Sequence, residues 1–83
     1  MSGGLPAING PDLARLLEGD GWVVHGRNPH GWTYKKTFPG GETRVTTIPN
    51  ERSSLATGTL RAILGPKQTD IGRRGFLRLL RRR

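Results

Sequence analysis

An α+β domain in the order α-β-β-β-α, with a three-stranded antiparallel sheet and its helices on one face, is the fold class this sequence predicts. Three observations predict it. Leucine and isoleucine recur at helical spacing near both ends of the domain, at Leu13, Leu16 and Leu17 and again at Leu60, Ile63 and Leu64. Between them, residues 22–48 hold three short runs rich in β-branched and aromatic side chains, parted by glycine- and proline-bearing turns. With 83 residues and 33% apolar side chains, the chain has material for one thin core. One sheet face covered by one or two helices satisfies that limit.

Each element has its own signal. Met1-Ser2-Gly3-Gly4 is a loose start, and residues 1–10 as a whole are expected to form a flexible N-terminal arm. Pro11 suits a first helical position, Asp12 complements the helix dipole, and Gly19-Asp20-Gly21 ends the helix. Trp22 to His25 reads as the first strand, and Gly26 to Gly31 as the turn that follows. Trp32 to Thr37 is the second strand. Alternation places Trp32, Tyr34 and Lys36 on one side and Thr33 and Lys35 on the other. Phe38-Pro39-Gly40-Gly41 is a hairpin turn, and Thr43 to Ile48 the third strand, closed by Pro49-Asn50. Thr57 is placed to cap a second helix that Gly65-Pro66 stops. Phe76, Leu77, Leu79 and Leu80 suggest a short third helix ending in Arg81-Arg82-Arg83. The folded domain is thus expected over 11–80, followed by a basic C-terminal tail at 81–83.

Composition narrows the function. The chain carries no cysteine, which removes disulfides, thiolate nucleophiles and cysteine-based zinc sites together. Its two histidines and six carboxylates show no metal-ligand spacing, so no cofactor is expected. No apolar run approaches the roughly 20 residues that span a bilayer, and the start lacks a signal-peptide core, so a cytoplasmic protein without a membrane partner is expected. The net charge is +8, and a pI near 11.6 favours polyanions, with nucleic acid ahead of membranes. The surplus sits mainly at the end: residues 67–83 hold seven basic side chains against Asp70 alone.

The most informative stretch is Arg27-Asn28-Pro29-His30-Gly31-Trp32-Thr33-Tyr34. It puts a histidine, the side chain whose ordinary pKa lies nearest neutrality, at a turn just ahead of an aromatic strand. Taken alone, such a histidine is an ordinary polar loop residue. Arg27, Lys35 and Lys36 flank it as candidate phosphate contacts, although lysines there equally form a solvated strand end. Trp32 and Tyr34 could stack on unpaired bases, but at alternate strand positions they read as packing residues, as does Trp22. His25, the only other imidazole, reads as a strand residue.

Several motifs in this order resemble the HicA toxin family of toxin–antitoxin systems. They are Leu13-Ala14-Arg15-Leu16-Leu17 running into Gly21-Trp22, then His30 at the first strand turn, Ile48-Pro49, and Gly58-Thr59-Leu60-Arg61-Ala62-Ile63-Leu64. The resemblance spans roughly residues 11–80. It implies a fold like a double-stranded-RNA-binding domain and metal-independent cleavage of messenger RNA or other single-stranded RNA. It also implies that His30 is the essential catalytic residue and that a HicB-type antitoxin protein is the inhibitory partner. In the family this histidine usually follows Gly-Ser, where the present chain has Asn28-Pro29. Proline stiffens the turn and removes a backbone donor, while serine would have offered a hydroxyl. The arginine-rich end is not a family hallmark.

Two other functions fit the same residues. One is a non-catalytic RNA-binding module with His30 inert. Double-stranded-RNA binders usually carry lysines at the start of the second helix, and Ser53-Ser54-Leu55-Ala56-Thr57-Gly58 has none. The other is a protein-interaction domain whose basic end docks on an acidic partner.

Overall fold

The computed structural model describes residues 5–82. Met1–Gly4 and Arg83, the outer parts of the expected arm and tail, lie outside the described residues.

Helix α1 spans Gly10–Gly19. The Asn9 side chain caps it by accepting the Asp12 N–H at 2.8 Å, and Pro11 occupies the first turn, where its missing donor does no harm. Leu13, Ala14, Leu16 and Leu17 form its buried stripe. The helix ends at Asp20, and Gly21, at φ 95°, turns the chain into Trp22, a core residue just ahead of the sheet.

The sheet is antiparallel in the order β1-β2-β3, with β1 at Val23–Asn28, β2 at Gly31–Thr37 and β3 at Thr43–Pro49. Its register places Trp32 opposite Ile48, Tyr34 opposite Thr46 and Lys36 opposite Arg44 on the face that the helices cover. Thr33 and Thr47, with Lys35 and Val45, lie on the other face, where Val23 and Val45 are 65% and 46% exposed. A one-sided sheet of this kind needs its helices on one side only, as the alternation in β2 and β3 requires.

Helices α2, Thr57–Leu64, and α3, Gly72–Arg82, complete the order α-β-β-β-α-α. Leu13, Leu17, Ile48, Ile63 and Phe76, all at most 2% exposed, tie α1, β3, α2 and α3 into one core. Each such side chain contributes about 2 kcal/mol of burial. Arg44 holds the α2–α3 connection to the sheet. Its guanidinium donates to the carbonyls of Pro66 and Gln68 at 2.7 and 3.1 Å and pairs with Glu42.

Several expectations shift. The chain from Ile8 to Gly10 is packed structure, not arm. Ile8 is only 5% exposed, its carbonyl accepts the Leu55 N–H at 2.9 Å, and Asn9 bridges Ser54. An apolar residue beside the α2 approach has more to gain from burial than from solvent. Strand β1 starts after Trp22 and continues to Asn28, because pairing with β2 extends almost to the turn. Thr57 is the first residue of α2, with Ala56 at the cap position and no side-chain cap bond. The third helix is an 11-residue element that runs through Arg81 and Arg82, as its expected arginine end implies, so these two residues belong to the helix and not to a separate tail.

Candidate nucleic-acid interface

His30 sits at the tip of the β1–β2 hairpin, and its backbone is fixed from two sides. The Asn28 Oδ1 accepts N–H hydrogen bonds from His30 at 2.8 Å and from Gly31 at 3.0 Å, an Asx turn that aspartate and asparagine favour. From the other side, the Asn50 N–H donates to the His30 carbonyl at 2.8 Å, clasping the turn to the end of β3. Gly31 permits this clasp, since a Cβ there would lie 2.1 Å from the Ile48 carbonyl oxygen. Pro29 fixes one more dihedral at the tip. The imidazole itself is exposed and makes no hydrogen bond among the described residues. The result is a solvent-facing imidazole on a turn held by hydrogen bonds from both sides.

The three cations grouped with His30 by sequence have three different placements. Arg27 stands opposite Trp32, next to the turn and on the helix side of the sheet, and is exposed. It borders a groove of about 270 Å³ between α1 and the hairpin, together with Arg15, Glu18, Trp32 and Tyr34. Lys35 lies on the open face opposite Val23 and Val45, about 13 Å along the strand from Gly31. Lys36 points to the far end of α1. Its ammonium donates to the Asp20 carbonyl at 2.6 Å and Oδ2 at 3.3 Å, and lies 5.1 Å from the centre of the Phe38 ring. A cation there satisfies a helix C-terminus. The fold therefore brings Arg27, but neither lysine, to the His30 end of the hairpin.

Within the groove, the Tyr34 hydroxyl donates to Glu18 Oε2 at 2.6 Å. Burial first, then the hydrogen bond to Glu18 and its charge, push the Tyr34 pKa up to about 12, against a smaller opposing effect of Arg27. Tyr34 and Trp22 are buried packing residues, while Trp32 is half-buried with one side toward the groove. His25 is exposed at a bulge in β1, where the pairing slips between Val24 and Gly26. The described His, Asp and Glu side chains form no group of three that could hold a metal ion, and no described helix is long and apolar enough to cross a membrane.

Asn28, Asn50, Arg15 and Glu18 escape a reading of the sequence as site components. Asparagine two residues before a turn tip was the available signal for Asn28; the others depend on contacts distant in sequence. Fold and turn together define an α+β domain that presents an exposed imidazole at a hairpin tip, with Arg27 of the same hairpin bordering a groove that Arg15 and Glu18 also line. No family model matches the chain, and neither a curated protein nor a solved structure is significantly similar to it.

Proposed function

We propose that this protein is a HicA-like toxin, a metal-independent endoribonuclease that cleaves messenger RNA in the cytoplasm and is held in check by a HicB-type antitoxin. The observation that carries the reading is the exposed His30 imidazole on a doubly pinned hairpin turn, at the position where the family resemblance requires its catalytic histidine. The element order and the +8 charge support it.

In the reaction, a ribose 2′-hydroxyl loses its proton and its oxygen attacks the adjacent phosphorus. The bond from phosphorus to the 5′-oxygen breaks, and that oxygen takes up a proton, leaving a 2′,3′-cyclic phosphate and a 5′-hydroxyl. His30 serves as the base or the acid of this exchange, with water in the complementary role. Arg27 is the cation placed to steady the negative charge that builds on the phosphorane. Purified protein should cut single-stranded RNA in EDTA, and His30→Ala should abolish the cutting while the circular dichroism spectrum stays native. Equal cleavage by the alanine variant overturns the assignment.

One observation favours a second reading, a non-catalytic RNA-binding module. Lys35 and Lys36, two of the three expected phosphate contacts, do not share the His30 end of the hairpin. RNA affinity in the wild-type protein without any cleavage selects that reading.

A further inference from the structure

We infer that the outer face of α3 is a docking ridge for the phosphate backbone of single-stranded RNA, separate from the His30 turn. The inference rests on the proposed RNA-directed function and adds a second contact surface to it.

Arg74, Arg78 and Arg81 fall at i, i+4 and i+7 and therefore line one side of the helix. Phe76 and Leu79 lie on the opposite side, 0% and 9% exposed, in the core. All three guanidinium groups belong to exposed residues, and none takes part in an ion pair among the described residues. Their helical rise separates them by about 4.5–6 Å along the axis, a ladder suited to successive charges of one strand. Guanidinium forks also grip phosphate oxygens bidentately.

The same geometry argues against two other occupants. A membrane-surface helix needs its apolar face for lipid, and here that face is spent on the core. A protein partner usually needs an apolar or aromatic anchor. The large exposed apolar residues are Val23, Val24 and Val45, all on the sheet and none on α3.

The ridge also leads somewhere. Arg82 and Arg15 line one cleft between α3 and α1, and Arg15 lines the groove that holds Arg27. Cationic side chains thus recur from α3 across α1 to Arg27 on the hairpin, interrupted by Glu18 in the groove and by the Arg15–Asp12 pair at 3.2 Å. That pair is solvent-exposed and weak. Because Phe38 lines a cleft with Arg78 and Arg82, α3 lies near the end of β2 remote from His30. A strand bound at both places must span about 20 Å, several nucleotides.

The test uses the full chain carrying His30→Ala, so that the probe survives, and a fluorescein-labelled oligouridylate of about 20 nucleotides followed by anisotropy across a potassium chloride series. In the Arg74→Gln/Arg78→Gln/Arg81→Gln variant, affinity at about 100 mM salt should fall by roughly tenfold or more. The slope of log K against log salt should shrink by about 2, at 0.7 per lost single-strand phosphate contact. The corresponding triple lysine variant should keep the slope, and Arg61→Gln on α2 should change neither quantity. If the triple glutamine variant misfolds, Arg78→Gln alone must still reduce the slope by about 0.7. An unchanged slope and affinity overturn the ridge, as does loss confined to binding of anionic lipid vesicles. Cleavage by the protein with His30 intact is a separate readout. A lost slope with no cleavage sinks the nuclease and leaves the ridge, whereas cleavage with an unchanged slope does the reverse.

Discussion

The Tyr34 hydroxyl donates to Glu18 Oε2 at 2.6 Å, joining the middle of the central strand to the last turn of α1 across 16 residues of sequence. This bond closes the floor of the groove that Arg15 and Arg27 border. It also makes stability depend on pH in a defined direction. Folding raises the Tyr34 pKa from 10.0 to about 12, so the folded state favours the protonated phenol. The stabilisation is therefore complete below pH 10 and is lost as pH rises through about 12. Tyr34→Phe should lower stability near neutral pH by about 1 kcal/mol, the net worth of one such hydrogen bond with a solvated partner. It should also flatten the alkaline fall between pH 10 and 12. Urea melts at pH 7, 10 and 11.5 check both, and an equally steep alkaline fall in the phenylalanine variant refutes the role.

Lys36 is an anchor of α1 by its contacts with Asp20, although its sequence neighbours suggest phosphate binding. Lys36→Met should lower stability by about 1–2 kcal/mol, since it removes a cation from a helix C-terminus and a half-buried hydrogen bond. RNA affinity should stay within about twofold, because the group is already engaged and distant from the turn. Thermal melts and anisotropy separate the two effects. A large loss of affinity with unchanged melting would restore Lys36 as a phosphate contact.

Gly31 is where the hairpin passes closest to β3. A Cβ there would stand 2.1 Å from the Ile48 carbonyl oxygen, a backbone atom that cannot swing aside. Gly31→Ala should destabilise the domain by about 3 kcal/mol through overpacking and loss of the clasp from Asn50. Gly26→Ala has open space and should change little by sterics. Denaturant midpoints of the two variants, measured together, test whether the close approach governs the turn.

Local sequence physics reached most of the fold. Leucine spacing located α1 and α2, and alternation correctly divided Trp32, Tyr34 and Lys36 from Thr33 and Lys35. What it could not reach is set by contacts between distant segments. Ile8 is drawn into the core by the approach to α2, which no N-terminal pattern announces. Arg44 and Gln68 meet across 24 residues to seat the connection before α3. Lys35 and Lys36 are adjacent in sequence, so they read as one basic patch. The pleat sends them to opposite faces and Asp20 captures one of them. His30 was legible as a turn residue, but its rigid mount was not, because half of that mount comes from Asn50 beyond β3.

Asn28 supplies the other half, and it allows rigidity and charge at the turn to be separated. Its side-chain oxygen accepts from both His30 and Gly31, so Asn28→Ala leaves the exposed His30 N–H to solvent and the buried Gly31 N–H without this acceptor, and frees the tip to sample other dihedrals. Water replaces the bond at exposed His30 but less readily at buried Gly31, so stability should fall by about 1–2 kcal/mol. On the proposed nuclease reading, RNA cleavage should fall further, roughly tenfold or more, because an imidazole displaced by a fraction of an ångström from the reacting atoms loses much of its orientation advantage. Asn28→Asp keeps the acceptor and should restore stability, yet its carboxylate beside the incoming phosphate should hold cleavage below wild type, more so at low salt. Melting temperatures and initial cleavage rates for the three proteins decide the matter. If alanine lowers stability and rate in the same small proportion, the Asx turn is ordinary scaffolding and His30 does not depend on it.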